Sequence, residues 1–115
     1  MRKSQLTTLK TEQEFNQFRH SRTFHSNSFR LRFTSRPNQN NPRFGFIVSK
    51  KIFPKVTKRN QVKRRLKRIV QLNLSNTKPA DILLTVKNEA GGKRYRDLEQ
   101  ELLNLFKQAY LWKKF

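Results

Sequence analysis

The segment "FGFIVSKKIFPKVTKRNQVKRRLKRIVQL", residues 44–72, passes directly from an apolar stretch into a densely basic one. It places ten Lys and Arg between Lys50 and Arg68, with no acidic residue among them. Like charges at neighbouring helix positions repel, and each pair costs about 0.2–0.5 kcal/mol. Because such a run weakens the fold that carries it, we expect a negatively charged partner outside the chain.

The whole chain is strongly basic. Its 115 residues contain 27 Lys and Arg against seven Asp and Glu, a net charge of +20. This length indicates a single domain, residues 1–115, with residues 1–10 as a flexible basic arm. The charge favours nucleic acid as the partner, ahead of an anionic membrane, which would need a broad apolar face or a lipid anchor as well.

Localisation signals are few. Residues 1–10 are too polar for a signal peptide, and no apolar run is long enough to span a bilayer. The chain has no Cys, so disulfides and zinc–thiolate sites are excluded. A cytoplasmic protein is therefore the default expectation.

The first third of the chain predicts a helix and two strands. "TEQE" at residues 11–14 is typical of a capping box, so a short helix should run to about His20, with Phe15 and Phe18 on one side. Residues 28–35 alternate apolar and basic side chains, which predicts a strand, and residues 43–49 predict a second one. With the Pro- and Asn-rich loop between them, the two strands should form a hairpin.

The basic run itself predicts an amphipathic helix. Pro54 ends the preceding segment, Thr57 is the expected N-cap, and the helical pattern begins at Lys58. An apolar stripe covers roughly 100° of the circumference, and Lys, Arg, Asn and Gln fill the remainder. The stripe consists of Val62, Leu66, Ile69 and Val70.

The last third predicts one strand and one helix. "ADILLTVK", residues 80–87, is a continuous apolar run that predicts a strand either buried on both faces or lying in a covered sheet. From Tyr95 the chain should form a closing amphipathic helix, with apolar residues at helical spacing as far as Ala109.

Within the basic helix, "RNQVKRRLKR" at residues 59–68, preceded by "GFIVSKKI" at 45–52, resembles the signature of the bacterial ribonuclease P protein subunit. The R-N-x-x-K-R core of that signature matches at Arg59, Asn60, Lys63 and Arg64. The order of elements around it is similar over most of the chain.

The resemblance implies a fold. It implies an α+β, two-layer α-β sandwich with a four-stranded sheet and three helices in the order α-β-β-β-α-β-α, like the second domain of a small-subunit ribosomal protein. It also implies a left-handed β-α-β crossover around the basic helix, whereas the general rule predicts a right-handed one. The additional strand would come from residues 22–28, which by themselves indicate a turn.

The resemblance also implies a role. The family's subunit binds one catalytic RNA, P RNA, in a 1:1 complex and helps it remove the 5′ leader of precursor tRNA. The RNA carries the chemistry, and Mg²⁺ is bound mainly by the RNA and its substrate. No membrane and no obligate protein partner are expected.

Two sets of residues follow from the resemblance together with the residue pattern. A single-stranded leader needs aromatic rings on which bases stack, next to a basic track. The helix aromatics are often spaced i, i+4 in the family but i, i+3 here, and the loop at 53–57 is one residue longer than the common form. The RNA-subunit-binding set is Arg59, Asn60, Lys63, Arg64, Arg65, Lys67 and Arg68; the leader-cleft set is Phe15, Phe18, Phe29, Arg30, Arg32, Ser49, Lys50 and Lys51, with Phe33 as an alternative to Phe29.

No pattern indicates catalysis by the protein. His20 and His25 have no carboxylate in a recognisable motif, and two-metal hydrolysis needs several converging carboxylates. The alternatives are a structural protein of the ribosomal type, which the basic helix would also suit, and a self-sufficient nuclease, which the seven scattered acids disfavour.

Overall fold

The structure is a computed structural model and describes residues 7–8, 21–35 and 42–111. The described residues form five strands and two α-helices. They are β1 (Thr7–Thr8), β2 (Thr23–His25), β3 (Phe29–Ser35), β4 (Arg43–Ile47), α1 (Val56–Leu72), β5 (Ala80–Val86) and α2 (Tyr95–Gln108), with short 3-10 turns at Leu74–Asn76 and Asn88–Gly92. The helix predicted after Thr11, with Phe15 and Phe18, lies outside the described residues, as does most of the loop before β4.

The sheet has the strand order β1-β4-β5-β3-β2. Strand β5 lies between β3 and β4, pairing antiparallel with β3 and parallel with β4. The predicted hairpin of β3 and β4 is therefore wrong. The reason is the apolar run of β5, which is buried from Ala80 to Leu84 and therefore occupies a central position in the sheet. A hairpin of β3 and β4 would have left β5 at an edge of the sheet.

Two strands depart from what the residues alone predict. Residues 23–25 form β2, which pairs antiparallel with β3, as the family resemblance implied and the local turn pattern did not. Thr7 and Thr8 pair in parallel with Arg43 and Phe44, so this part of the predicted loose arm adds a short edge strand to the four-stranded body of the sheet.

The core lies between one face of the sheet and the two helices. Alternate strand residues, among them Phe29, Leu31, Phe44 and Leu84, are fully buried there. The apolar stripe of α1 and the buried side of α2 pack against them in one cluster. The predicted two-layer α+β architecture is confirmed. Strands β4 and β5 are parallel and joined through α1; the handedness of this crossover stays a prediction.

Helix α1 begins earlier than predicted. Its N-cap is Lys55, which makes no side-chain capping bond, and Thr57 is exposed within the first turn. The helix ends at Leu72, where the Asn73 side-chain amide donates to the carbonyl of Ile69 at 2.7 Å. The predicted stripe of Val62, Leu66, Ile69 and Val70 is confirmed as the buried side.

A carboxylate of α2 fastens the turn between β2 and β3. Glu101 accepts hydrogen bonds from the Ser26 hydroxyl, from the backbone N–H of Ser28 at 2.5 Å and from its hydroxyl at 3.0 Å. Lys93 adds an ion pair at 2.6 Å. Burial by itself would raise the pKa of Glu101, but the bonds from Lys93, Ser26 and Ser28 together lower it below its usual 4.5.

We predict that Glu101→Gln lowers the free energy of unfolding by about 1–3 kcal/mol at neutral pH, because charge-assisted bonds are lost. The native pKa lies below the unfolded value, so the contribution of Glu101 is present above the unfolded pKa and is lost as pH falls through the native one. Urea unfolding at neutral pH and at about pH 3 should therefore show the difference between the two proteins shrinking on acidification. Glu99→Gln is the control, and a constant difference would contradict this assignment.

Candidate RNA interface

The outer face of α1 is the most basic surface among the described residues. Since an α-helix turns by about 100° per residue, Arg64 lies directly opposite the buried stripe. Exposed side chains beside it are those of Asn60, Lys67 and Arg68. Lys63 is half-buried at the flank. The helix therefore presents its cations to the outside because its apolar stripe fixes its rotation about its axis.

These side chains are not neutralised by the chain itself. The ion pairs within the described part of the chain join Arg43 to Asp81 and Lys93 to Glu101. In the same residues, no hydrogen bond or ion pair engages the side chains of the outer face. Asn60 lies on this face as well, and the group here called the open cation set comprises Lys63, Arg64, Lys67 and Arg68. Their mutual repulsion is left for an external anion to relieve.

Two shallow depressions run along this face. One, of about 470 Å³, is lined by Thr57, Asn60, Lys63, Arg64 and Lys67. The other, of about 400 Å³, is lined by Lys55, Thr57, Lys58, Gln61 and Arg64. Thr57 and Arg64 form the ridge between them. Such a surface offers guanidinium and ammonium donors on both sides of a hydroxyl, an arrangement suited to a phosphate backbone.

Two members of the predicted RNA-binding set also have a structural role. The Nη1 atom of Arg59 donates to the carbonyls of Phe53 at 2.9 Å and Pro54 at 3.0 Å. Arg65 Nη1 donates to the carbonyl of Lys93 at 3.4 Å, which links α1 to the start of α2. Arg59 therefore holds the chain segment that leads into the helix.

That segment is the turn that carries Ser49, Lys50 and Lys51. Phe53 is buried and donates its backbone N–H to the Ser49 carbonyl at 2.8 Å. The Ser49 hydroxyl accepts from the backbone N–H of Lys51 at 3.0 Å. Both lysines are exposed. The buried Phe53 thus anchors a tight turn whose lysines point away from the core.

On the sheet face turned away from α1 and α2, here called the groove, the exposure of the side chains changes along the strands. Directly paired residues share a face, so His25, Arg30, Thr85 and Ile47 make one row across four strands. This row is open, with Ile47 39% exposed, and β4 leads from it into the Ser49 turn. Toward the start of β5, Leu83 and Asp81 are buried on the same face. The Nη2 atom of Arg43 forms an ion pair with Asp81 at 2.7 Å.

The predicted cleft residues divide between two faces of the sheet. Arg30 and Arg32 lie on the groove face, where Arg32 Nε donates to the Thr23 hydroxyl at 3.0 Å. Phe29 is 0% exposed and lies on the opposite face, inside the core. Its inclusion in the cleft was wrong, because strand alternation forbids Phe29 and Arg30 from sharing a face. Phe33 also lies on that opposite face and so is excluded from the cleft, while Phe15 and Phe18 lie outside the described residues.

Three groove residues were not predicted: His25, Ile47 and Thr85. Thr85 shares a face with Asp81 and Leu83 by alternation, which the sequence does show. Thr85 lies beside Arg30 because β5 pairs with β3. This contact was not predicted, because the expected hairpin paired β3 with β4 instead.

The described residues contain no group of three or more His, Asp or Glu side chains that could hold a metal ion. No described helix is both long and apolar enough to cross a membrane.

Comparison with known proteins agrees with this geometry. The family model described as Ribonuclease P matches residues 4–110, nearly the whole chain. The chain belongs to the ribonuclease P protein family. A ribonuclease P protein component from Bacillus velezensis is 32% identical over 107 residues, covering 92% of this chain and 91% of that one. Its counterpart from Clostridium acetobutylicum is 40% identical over 70 residues, covering 60% and 58%.

Solved ribonuclease P proteins have the same fold. The Staphylococcus aureus protein aligns with a TM-score of 0.84 at 18% identity, covering 94% of this chain and 99% of that one. The Thermotoga maritima protein aligns with a TM-score of 0.78 at 22% identity, covering 88% and 96%. Identity this low shows a shared fold; family membership is shown by the sequence matches.

The contrast between Arg59 and Arg64 gives a stability prediction. Arg59→Ala should lower the free energy of unfolding by about 1–2 kcal/mol, because two carbonyls of the turn lose a charged donor. Arg64→Ala should stay within about 0.5 kcal/mol of wild type, since the side chain has no described partner. Chemical unfolding measures both, and an Arg64 loss as large as the Arg59 loss would mean that the outer face is structural.

Proposed function

We propose that this chain is the protein subunit of a ribonucleoprotein ribonuclease P, binding P RNA through the outer face of α1. The observation that carries this proposal is the open cation set, whose cations have no carboxylate partner in the described residues. An RNA backbone supplies the missing negative charge along a continuous surface. Membership of the ribonuclease P protein family supports P RNA as that RNA.

The groove on the other face of the sheet receives the 5′ leader of precursor tRNA. Arg30, Lys50 and Lys51 are exposed there and can contact phosphates, and His25 and Ile47 can lie against bases. Phe15 and Phe18 remain the proposed stacking residues. Phe29 is not proposed, because it is buried in the core.

In this account the protein positions substrate and the RNA performs the cleavage. Asp81 and Glu101 are already engaged with Arg43 and Lys93, so neither is free to serve as a metal ligand or base. Mg²⁺ would be held mainly by P RNA and its substrate. The subunit would raise affinity for precursor tRNA by holding the leader and by neutralising phosphates where the two RNAs approach each other.

The experiment that tests this function mixes the protein, P RNA and precursor tRNA at low Mg²⁺. Cleavage at the mature 5′ end is expected only when protein and P RNA are both present. Cleavage by the protein alone would establish a self-sufficient nuclease instead. Binding of P RNA without any gain in cleavage would indicate a structural RNA-binding protein of the ribosomal type.

Arg64→Ala should weaken P RNA binding about tenfold, ~1.4 kcal/mol, because one multidentate phosphate contact is lost. The slope of log affinity against log salt should fall by about one. Filter binding at several salt concentrations measures both quantities. Arg96→Ala, which removes an exposed arginine from α2, is the matched control; equal losses for both variants would refute a specific role for α1.

Arg30→Ala should weaken binding of leader-bearing precursor to the holoenzyme several-fold, about 1 kcal/mol, and leave mature tRNA affinity unchanged. The reason is that its side chain faces the groove and not α1. The comparison is made with precursor and mature tRNA of the same sequence, with Arg96→Ala again as control. A loss that is the same for both substrates would place Arg30 outside the leader site.

A further inference from the structure

A second concave site lies on the helix-covered side of the sheet, at the β2 edge. It is a cavity of about 470 Å³ whose walls include Arg22, Phe24, Phe33, Lys78 and Tyr110. Phe24 and Phe33 pair with Leu31 and Ile82, which fixes them on the face opposite Arg30 and the leader groove. The cavity is therefore separate from both surfaces described above.

The cavity combines aromatic rings with cations, and none of the described residues that line it is acidic. The rings of Phe24 and Phe33 are stacked, with centroids 6.2 Å apart and planes 26° apart. The Arg22 guanidinium lies 5.3 Å from the Phe24 centroid. Lys78 is exposed beside them, and neither cation has an ion pair within the described residues. A nucleotide has the complementary parts, a flat base and an anionic phosphate.

Tyr110 occupies an unusual backbone position at the rim. Its φ is 58°, the left-handed region, and it follows α2 at the point where glycine commonly ends a helix. Leu111 donates to the carbonyl of Phe106 at 2.8 Å, which closes the helix end around it. The side chain is 70% exposed, so most of the ring is accessible to a ligand. Strain retained at an exposed aromatic residue is a pointer to function.

We propose that this cavity binds one unpaired nucleotide of the RNA subunit, with the base against Tyr110 and the Phe24–Phe33 pair and the phosphate between Arg22 and Lys78. The RNA subunit is the source because the cavity and α1 lie on the same side of the sheet, away from the leader groove. This assignment of the source rests on the proposed function. The aromatic–cationic cavity itself does not.

Tyr110→Gly separates a binding role from a structural one. Glycine relieves the backbone strain but also removes the side chain's own interactions, so binding is compared at a temperature at which thermal unfolding shows both proteins to be folded. P RNA affinity should nevertheless fall about fivefold, as expected for the loss of one stacked base. Tyr110→Phe should retain affinity within about twofold. If Tyr110→Gly binds P RNA as tightly as wild type, the proposal is wrong.

Two further arms identify the ligand. Lys78→Ala should reduce the salt dependence of P RNA binding, whereas Lys107→Ala, an exposed lysine near the end of α2, should not. The Tyr110→Gly loss should be the same with precursor and with mature tRNA in the holoenzyme. A loss seen only with leader-bearing precursor would overturn the RNA-subunit assignment.

Photolabelling of the free full-length protein with 8-azidoadenosine 5′-monophosphate tests the cavity without P RNA. Labelling is expected on the Phe24 or Tyr110 peptides, with competition by adenosine 5′-monophosphate and less by ribose 5-phosphate. Labelling of these peptides by a protein that does not bind P RNA would contradict the proposed function but support nucleotide binding in the cavity. P RNA binding without labelling of either peptide would contradict nucleotide binding in the cavity and leave the proposed function unaffected.

Discussion

The burial of one apolar stripe on α1 determines how the rest of the protein presents its charge. Val62, Leu66 and Ile69 have almost no exposure, so the helix cannot rotate about its axis without exposing them. Arg64 must then point outward, and the residues stacked beside it must repel one another. Burying the three side chains contributes several kcal/mol, more than the summed repulsion of a few like pairs. The fold therefore tolerates a surface that only an anion can stabilise.

The basic residues fall into two groups with different roles. Arg43, Arg59, Arg65 and Lys93 bind carboxylates or carbonyls of the chain and hold its segments together. The members of the open cation set have no such bonds to any residue that the structure describes. Arg59 and Arg64 belong to the same sequence motif, yet one fixes the turn that presents Lys50 and Lys51 while the other faces solvent. One motif can therefore supply both a residue that holds the binding surface in place, Arg59, and a residue that is exposed for contact with a partner, Arg64.

Sequence periodicity predicted the elements whose pattern is long and regular. The stripe of α1, the double burial of β5 and the buried side of α2 are of this type. Strand pairing was not predictable in the same way, since no local pattern shows that β5 separates β3 from β4. The three-residue strand β2 is too short for alternation to distinguish it from a turn. The misplacement of Phe29 was avoidable, because alternation within β3 already sets it opposite Arg30.

The distribution of function over the sheet follows from the same layering. The two described helices, α1 and α2, cover one face, whereas Arg30, Thr85 and the Ser49 turn belong to the other. The proposed leader groove and the proposed RNA-subunit surface therefore do not compete for the same side chains. The cavity at Tyr110 lies on the helix side, at the far edge of the sheet. One small domain can thus contact two RNAs at once, provided that the α1 face is where P RNA docks.

Site-directed strand scission tests that docking most directly. The chain has no Cys, so a single introduced thiol carries an iron chelate at one known position. If α1 docks on P RNA, Thr57→Cys, on the ridge of the α1 face, should yield a compact set of breaks in P RNA, and Gln100→Cys on α2 should yield few. Abundant breaks from position 100 together with none from position 57 would show that α1 faces away from the RNA.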